Sequence, residues 1–216
     1  TYDATRIDAG RDALARLESS LDELGAERAL LVCGRSVGAN TAVVGPIRAA
    51  LGERLVGIFD QTTPEKRLAT VLDGRERVRA LDADLVVGVG GGSSLNVARA
   101  ICSIAPLAAD RATIRAQTAR EGALPELGES SPPLPNVAIP TTMPGADLAA
   151  GGSVVVHDPP GATVAPGLDR VEANITDDRL LAAVHVSDPA LFATTPPAVL
   201  ARPALNGFNK GLETIH

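Results

Sequence analysis

Apolar positions along the chain alternate between two periods. From Ile7 to Leu24 they fall at Ile7, Leu14, Leu17, Leu21 and Leu24, the spacing of one helix face. The run RALLVC that follows, Arg28 to Cys33, is almost continuously apolar, as a strand buried on both sides requires. The same succession then repeats. A helix is predicted over Val37 to Leu51 and a strand over Arg54 to Phe59. A second helix is predicted over Pro64 to Leu81, with proline at the first helical position, where its missing N–H costs nothing. A strand over Asp84 to Val89 and a helix from Ser93 to about Ile104 complete the series. Strands and helices in strict alternation, with strands apolar throughout, predict an α/β fold: a doubly wound parallel sheet covered on both faces.

The pattern changes after Ile104. Residues Gly122 to Pro135 are rich in Pro, Ser and Gly and read as a loop, and NVAIP, Asn136 to Pro140, reads as a short strand delivering a polar turn. The segment GGSVVVHDPPG suggests a hairpin instead of another strand–helix–strand unit. From Pro196 the spacing is helical again and still running at His216, so a chain ending inside a helical domain is expected. Thr1 in place of an initiator Met likewise suggests processing or truncation.

Composition narrows the possible partners. Twenty Lys and Arg against 26 Asp and Glu give a net charge of −6, with no block of like charges, which argues against nucleic acid and anionic membranes. With Tyr2, Phe59, Phe192 and Phe208 the only aromatics, base-stacking platforms are not expected, and the core has to be built from Val, Leu, Ile and Ala. Cys33 and Cys102 lie in apolar runs without CxxC spacing, so neither a disulfide framework nor a structural zinc site is predicted. No stretch approaches the roughly 20 apolar residues of a membrane span. A cytoplasmic location is the expectation.

The strongest local chemical signal is DLVVGVGGGSSLNVARA. Gly90, Gly91 and Gly92 end a buried strand, and Ser93 and Ser94 open the next helix. Glycines admit a pyrophosphate close to the backbone, and a helix N-terminus supplies partial positive charge. A triple glycine also serves a tight turn needing positive φ. The strand before it and the helix after it favour anion binding.

Three segments in order carry a resemblance to the iron-containing alcohol dehydrogenase superfamily, whose fold is shared by dehydroquinate synthase and glycerol dehydrogenase. GGGSSLNVARA, Gly90 to Ala100, resembles that family's GGGSxxDxAK pyrophosphate loop, with Asn96 in place of Asp and Arg99 in place of Lys. NVAIPTT, Asn136 to Thr142, is similar to the IPTT segment at the nicotinamide end of the cofactor, which implies a role there for Thr141 and Thr142. Val186 to Glu213 resembles the stretch leading into the first metal-binding helix. The resemblance implies a dinucleotide-binding α/β domain over residues 1–185, then a linker and the start of an all-helical metal and substrate domain over 186–216. It also implies a homodimer, with a further helical segment beyond this chain.

In that family an Asp and a His four residues apart on the helix bind a divalent metal, Fe or Zn, together with two later His. The matching positions here carry Asn206 and Lys210. Asn is a weaker ligand than a carboxylate, and a protonated Lys has no lone pair to give, so these residues argue against the family's metal. A Lys210 cation can instead stabilise a developing alkoxide, making Asn206 and Lys210 the catalytic candidates; a surface Lys pairing with Glu213 is the alternative.

Gly34 stands where the family often has an Asp that binds a ribose 2′-OH, and Arg35 follows it. Loss of the acid and gain of a cation favour NADP(H) over NAD(H). The turn MPGADLAAGGS departs from the family's AGTGSE and is closer to the DxxVGGK turn of the synthases, with Ser153 in place of Lys. There Asp147 is a candidate for the substrate or the nicotinamide ribose, or simply an Asx-turn former. His157 and His185 are expected at strand edges or in loops, without a catalytic role.

The reading that results is an NAD(P)-dependent oxidoreductase moving hydride between the nicotinamide and a small alcohol or ketone. Two others stand beside it: a cyclase or lyase of the dehydroquinate synthase type using NAD transiently, and a non-catalytic nucleotide-binding fragment.

Overall fold

The structure is a computed structural model that describes residues 5–129, 131–143, 145–157 and 170–213, without the side chains at 146, 206–208 and 210–213. In chain order the elements are β1 (Arg6–Ala9), α1 (Leu17–Leu24), β2 (Ala29–Gly34), α2 (Arg35–Gly38), α3 (Thr41–Leu51), β3 (Leu55–Thr62), α4 (Leu68–Ala80) and β4 (Leu85–Gly90). They continue with α5 (Gly92–Ile104), α6 (Arg111–Glu121), β5 (Asn136–Pro140), β6 (Gly151–His157), β7 (Arg170–Thr176), β8 (Val184–Ser187), α7 (Pro189–Phe192) and α8 (Pro197–Glu213).

Six strands form one sheet in the order β1-β8-β5-β4-β2-β3, every neighbouring pair parallel. Alternate residues of each strand feed different cores. Leu30, Val32 and Val86 pack beneath α4 and α5, whereas Leu31, Cys33, Val87 and Val89 pack against Leu17 and Leu21 of α1 and Val43 and Ile47 of α3. That is the doubly wound α/β arrangement expected from continuously apolar strands. Of the segment read as a hairpin, 151–157 is strand β6 and 158–161 lie outside the described residues; β6 pairs antiparallel with β7 and places Val154, Val156, Ala173 and Ile175 in the same core as α5. Helix α5 therefore lies between the sheet and the β6–β7 ribbon, and ten of its 13 residues are buried.

Several expectations need correction. No single helix runs from Ile7 to Leu24: Ile7 lies in edge strand β1, 58% exposed, and α1 begins at Leu17. Positive φ at Gly10 (104°) and Asp12 (59°) turns the chain between them, which a helix forbids. The helix predicted from Val37 is broken before Thr41, where the side chain of Asn40 accepts the Ala42 N–H at 3.1 Å and caps α3. Pro64 does not start α4; Lys66 takes φ 53°, and the helix opens only at Leu68. Helix α6 and strand β8 were not expected.

Cys33 and Cys102 are both free and buried, on opposite faces of the sheet, and burial pushes each thiol up to about 12. Arg75, 0% exposed, donates to the carbonyls of Ile104 (3.0 Å), Ala109 (2.7 Å) and Leu107, and so satisfies the C-terminal end of α5 and the loop after it.

Candidate functional site

The chain leaves β2 towards β3 on one side and then crosses back to β4 on the other, so the carboxyl ends of β2 and β4 flank a topological switch point. In open α/β sheets this is where a ligand crevice forms. Four strand ends meet there, those of β2, β3, β4 and β5.

At the end of β4, Gly90 takes φ 131°, a conformation that L side chains rarely adopt, and a Cβ on it would stand 3.2 Å from Ser94 Oγ. Gly91 caps α5, and the N–H groups of Gly92, Ser93 and Ser94 begin the helix without intrahelical acceptors. A Cβ at Gly91 would meet only Thr142, at 3.5 Å or more. The glycine is thus not required by the fold's own packing; what it leaves open is the approach to the backbone.

The neighbouring strands close the rim. Gly90 pairs with Pro140 of β5, and the Thr141 N–H donates to Gly90 O at 2.9 Å, bringing Thr141 and Thr142 beside the glycine turn. Thr195 Oγ1 donates to Thr141 O at 2.8 Å, and both threonines of the turn are buried. On the other side, Gly34 pairs with Thr62 of β3, and Thr62 Oγ1 and Ser94 Oγ lie 2.7 Å apart. Arg35, exposed, is the first residue of α2 on this edge. Gly34, Gly90, Gly91, Gly92, Ser93, Ser94, Thr141 and Thr142 are thereby brought to one edge of the sheet. A dinucleotide fits the arrangement: the backbone at Gly91 is open, and donors from a helix terminus face the switch point.

Asp147 behaves differently. It is 7% exposed and turns inward, its Oδ2 lying 2.6 Å from Nε2 of His185 on β8, which is itself 5% exposed. Burial works to raise this carboxyl, but the His185 hydrogen bond and the backbone N–H groups of Asp147 and Leu148 outweigh it and hold it below the usual carboxylate range. His185 was expected in a strand-edge or loop position; it is a buried residue in the second strand of the sheet counted from the β1 edge. Arg99, 1% exposed, donates to Asn96 Oδ1 at 3.1 Å and Gly151 O at 2.8 Å, and burial lowers its guanidinium pKa, against the nearby carboxylate of Asp147, which raises it. Thr62 and His185 carry no local motif, and only the folded sheet places them at the site.

Asn206 and Lys210 lie on α8, but their side chains are outside the described residues. Among the described residues no group of three or more His, Cys, Asp and Glu is gathered as a metal would require, and no helix is long and apolar enough to cross a membrane.

The sequence model of the family described as "iron-containing alcohol dehydrogenase" matches residues 4–189. The chain is 27% identical over 213 residues to 4-hydroxybutyrate dehydrogenase of Cupriavidus necator, covering 99% of this chain and 52% of that protein. It is 24% identical over 210 residues to 1-propanol dehydrogenase of Salmonella typhimurium, covering 97% of this chain and 47% of that protein. Among solved structures, the sulfoacetaldehyde reductase of Bifidobacterium kashiwanohense in complex with NAD+ superposes with a TM-score of 0.71 at 22% identity, over 89% of this chain and 46% of that one. NADH-dependent butanol dehydrogenase A of Thermotoga maritima gives a TM-score of 0.71 at 17% identity, over 91% and 45%. The chain thus spans about half the length of the relatives it matches.

Proposed function

Because this chain belongs to the iron-containing alcohol dehydrogenase family, we propose that it is the dinucleotide-binding part of an NAD(P)-dependent oxidoreductase acting on a small alcohol or ketone. The observation that carries the reading is the meeting of Gly90–Ser94 at the N-terminus of α5 with Thr141 and Thr142 at the end of β5, across the switch point. The backbone N–H groups of Gly92, Ser93 and Ser94 hold the pyrophosphate, and Thr141 and Thr142 orient the nicotinamide half. When bound, the nicotinamide supplies the hydride chemistry; the chain supplies position and electrostatics.

Within this reading NADP(H) is favoured over NAD(H). Gly34 places no carboxylate at the end of β2, and exposed Arg35 supplies a cation for a 2′-phosphate. Fluorescence titration with NADPH and NADH tests both parts. NADPH is expected to bind more tightly, and Gly34→Asp to reverse the preference by placing an acid beside the ribose. An unchanged ratio in that variant removes Gly34 and Arg35 from cofactor selection. Failure of either dinucleotide to bind removes the oxidoreductase reading.

Lys210 on α8 is proposed to stabilise a developing alkoxide by charge, with Asn206, four residues earlier on the same helix, at the substrate end. Lys210→Ala is then expected to abolish turnover while keeping nucleotide affinity, and full activity in that variant returns Lys210 to the surface.

A further inference from the structure

The turn from Thr141 to Gly151 inverts the ordinary distribution of side chains: Asp147 is buried at 7% exposure, while Met143 and Leu148 are 67% and 53% exposed. Four hydrogen bonds from different parts of the chain hold it this way. Its start is fixed by Thr141 to Gly90 and by Thr195, its end by Arg99 to Gly151 O, and between them Asp147 reaches 2.6 Å to His185. The Asp147–His185 bond spans 38 residues and connects the turn to β8.

We propose that Asp147 and His185 form a positioning latch, which holds the Thr141–Leu148 turn against the nicotinamide half of the bound dinucleotide. The inference rests on the dinucleotide reading above. It gives Asp147 a role behind the cofactor surface, in place of direct contact with a ribose, and gives His185 a role that its place in the sequence did not suggest.

The choice of residue supports this. His185 faces Asp147 with Nε2, and its Nδ1 is buried without a hydrogen-bond partner among the described residues. A buried polar atom left unpaired costs stability, so a leucine would fill the position more cheaply. What leucine lacks is the hydrogen bond to Asp147. That carboxyl is held in its charged form by the bond, and is further favoured by Arg99 close by. Packing alone does not account for a histidine here; the connection to the turn does.

The test compares the affinity of the 216-residue chain for NADPH or NADH, whichever binds more tightly, with its affinity for the matching ligand that lacks only the nicotinamide, 2′-phospho-ADP-ribose or ADP-ribose. His185→Leu fills the space without a donor, and His185→Gln restores an N–H near the position of Nε2. With the latch, His185→Leu loses about tenfold in dinucleotide affinity, the scale of one hydrogen bond's contribution, and leaves affinity for the nicotinamide-free ligand within about twofold. The fluorescence enhancement of bound reduced nicotinamide falls with it, and His185→Gln recovers most of both. If His185→Leu does not fold, Asp147→Ala, which removes the acceptor from the turn's side of the bond, is expected to show the same selective loss. Equal losses for the dinucleotide and the nicotinamide-free ligand, or no loss, overturn the latch while leaving the dinucleotide site in place. Wild-type protein that binds neither ligand overturns the dinucleotide reading, and the latch with it.

Discussion

A side chain at Gly91 would find ordinary contact distances in the protein itself, the nearest atom being Thr142 Oγ1 at 3.5 Å, and its backbone at φ −84° suits any residue. Gly91→Val should therefore fold normally and abolish dinucleotide binding, as thermal melting beside fluorescence titration will show. Gly88 makes the opposite case. Its Cβ would stand 2.9 Å from Ala98 Cβ, where β4 packs on α5, so Gly88→Val should destabilise the fold by about 1–3 kcal/mol through overpacking. The two glycines are close in sequence and serve different needs. The sequence distinguished the loop glycines because a strand, a glycine run and a helix start are contiguous in the chain. The Asp147–His185 pair was not legible, since nothing local joins residues 38 apart; only the parallel placement of β8 beside β5 brings them together.

Helices and strands were readable in proportion to how far each buries its own pattern. Strand β5 runs over Asn136–Pro140 as predicted, and β2 and β4 are each displaced by one residue, because all three are apolar and buried on both faces. Helix α6 leaves little trace in the sequence because RATIRAQTARE buries only Ile114, Thr118 and Ala119, too narrow a stripe to form an apolar face. Ile7 shares the helical spacing of Leu14 and Leu17 only by coincidence, its side chain being exposed on an edge strand. Capping could be anticipated only in part. Asp188 accepts the Ala190 N–H at 3.0 Å at the start of α7 and the Leu14 N–H at 3.4 Å from the N-terminal region, so one carboxylate connects two distant segments. Asp188→Ala is expected to cost about 1–2 kcal/mol in urea unfolding, as loss of a helix cap does. A cost within about 0.3 kcal/mol, inside the scatter of surface substitutions, would show that neither N–H depends on it.

At the scale of the whole molecule, the carboxyls displaced from their ordinary range among the described residues all move downward. Asp110 is held down by the Thr113 backbone N–H, Asp177 by its hydrogen bond with Arg179, and Asp147 by the bonds that overcome its burial. A depressed folded-state pKa contributes stability that is fully present above the ordinary carboxylate value and lost as pH falls through the folded value. Urea midpoints should accordingly be flat from neutral pH to about 5 and fall steeply below about 4. Asp147→Asn should make that acid fall shallower, and an unchanged slope would mean that its carboxyl titrates alike in the folded and unfolded chain. Fold class was legible at this scale because strand–helix alternation runs through the whole first half of the sequence. The β1–β8 edge, which closes the sheet with a strand from the N-terminus and one from beyond residue 180, was not.

The two cysteines give the molecule a pair of built-in clocks. Cys33 reports the core beneath α1 and α3, and Cys102 the core between the sheet and the β6–β7 ribbon. With each thiol buried and pushed up to about 12, neither reacts until its own layer opens. The rate at which each is alkylated under native conditions therefore times the breathing of one face of the sheet, and the ratio of the two rates shows whether both faces open together or one yields first.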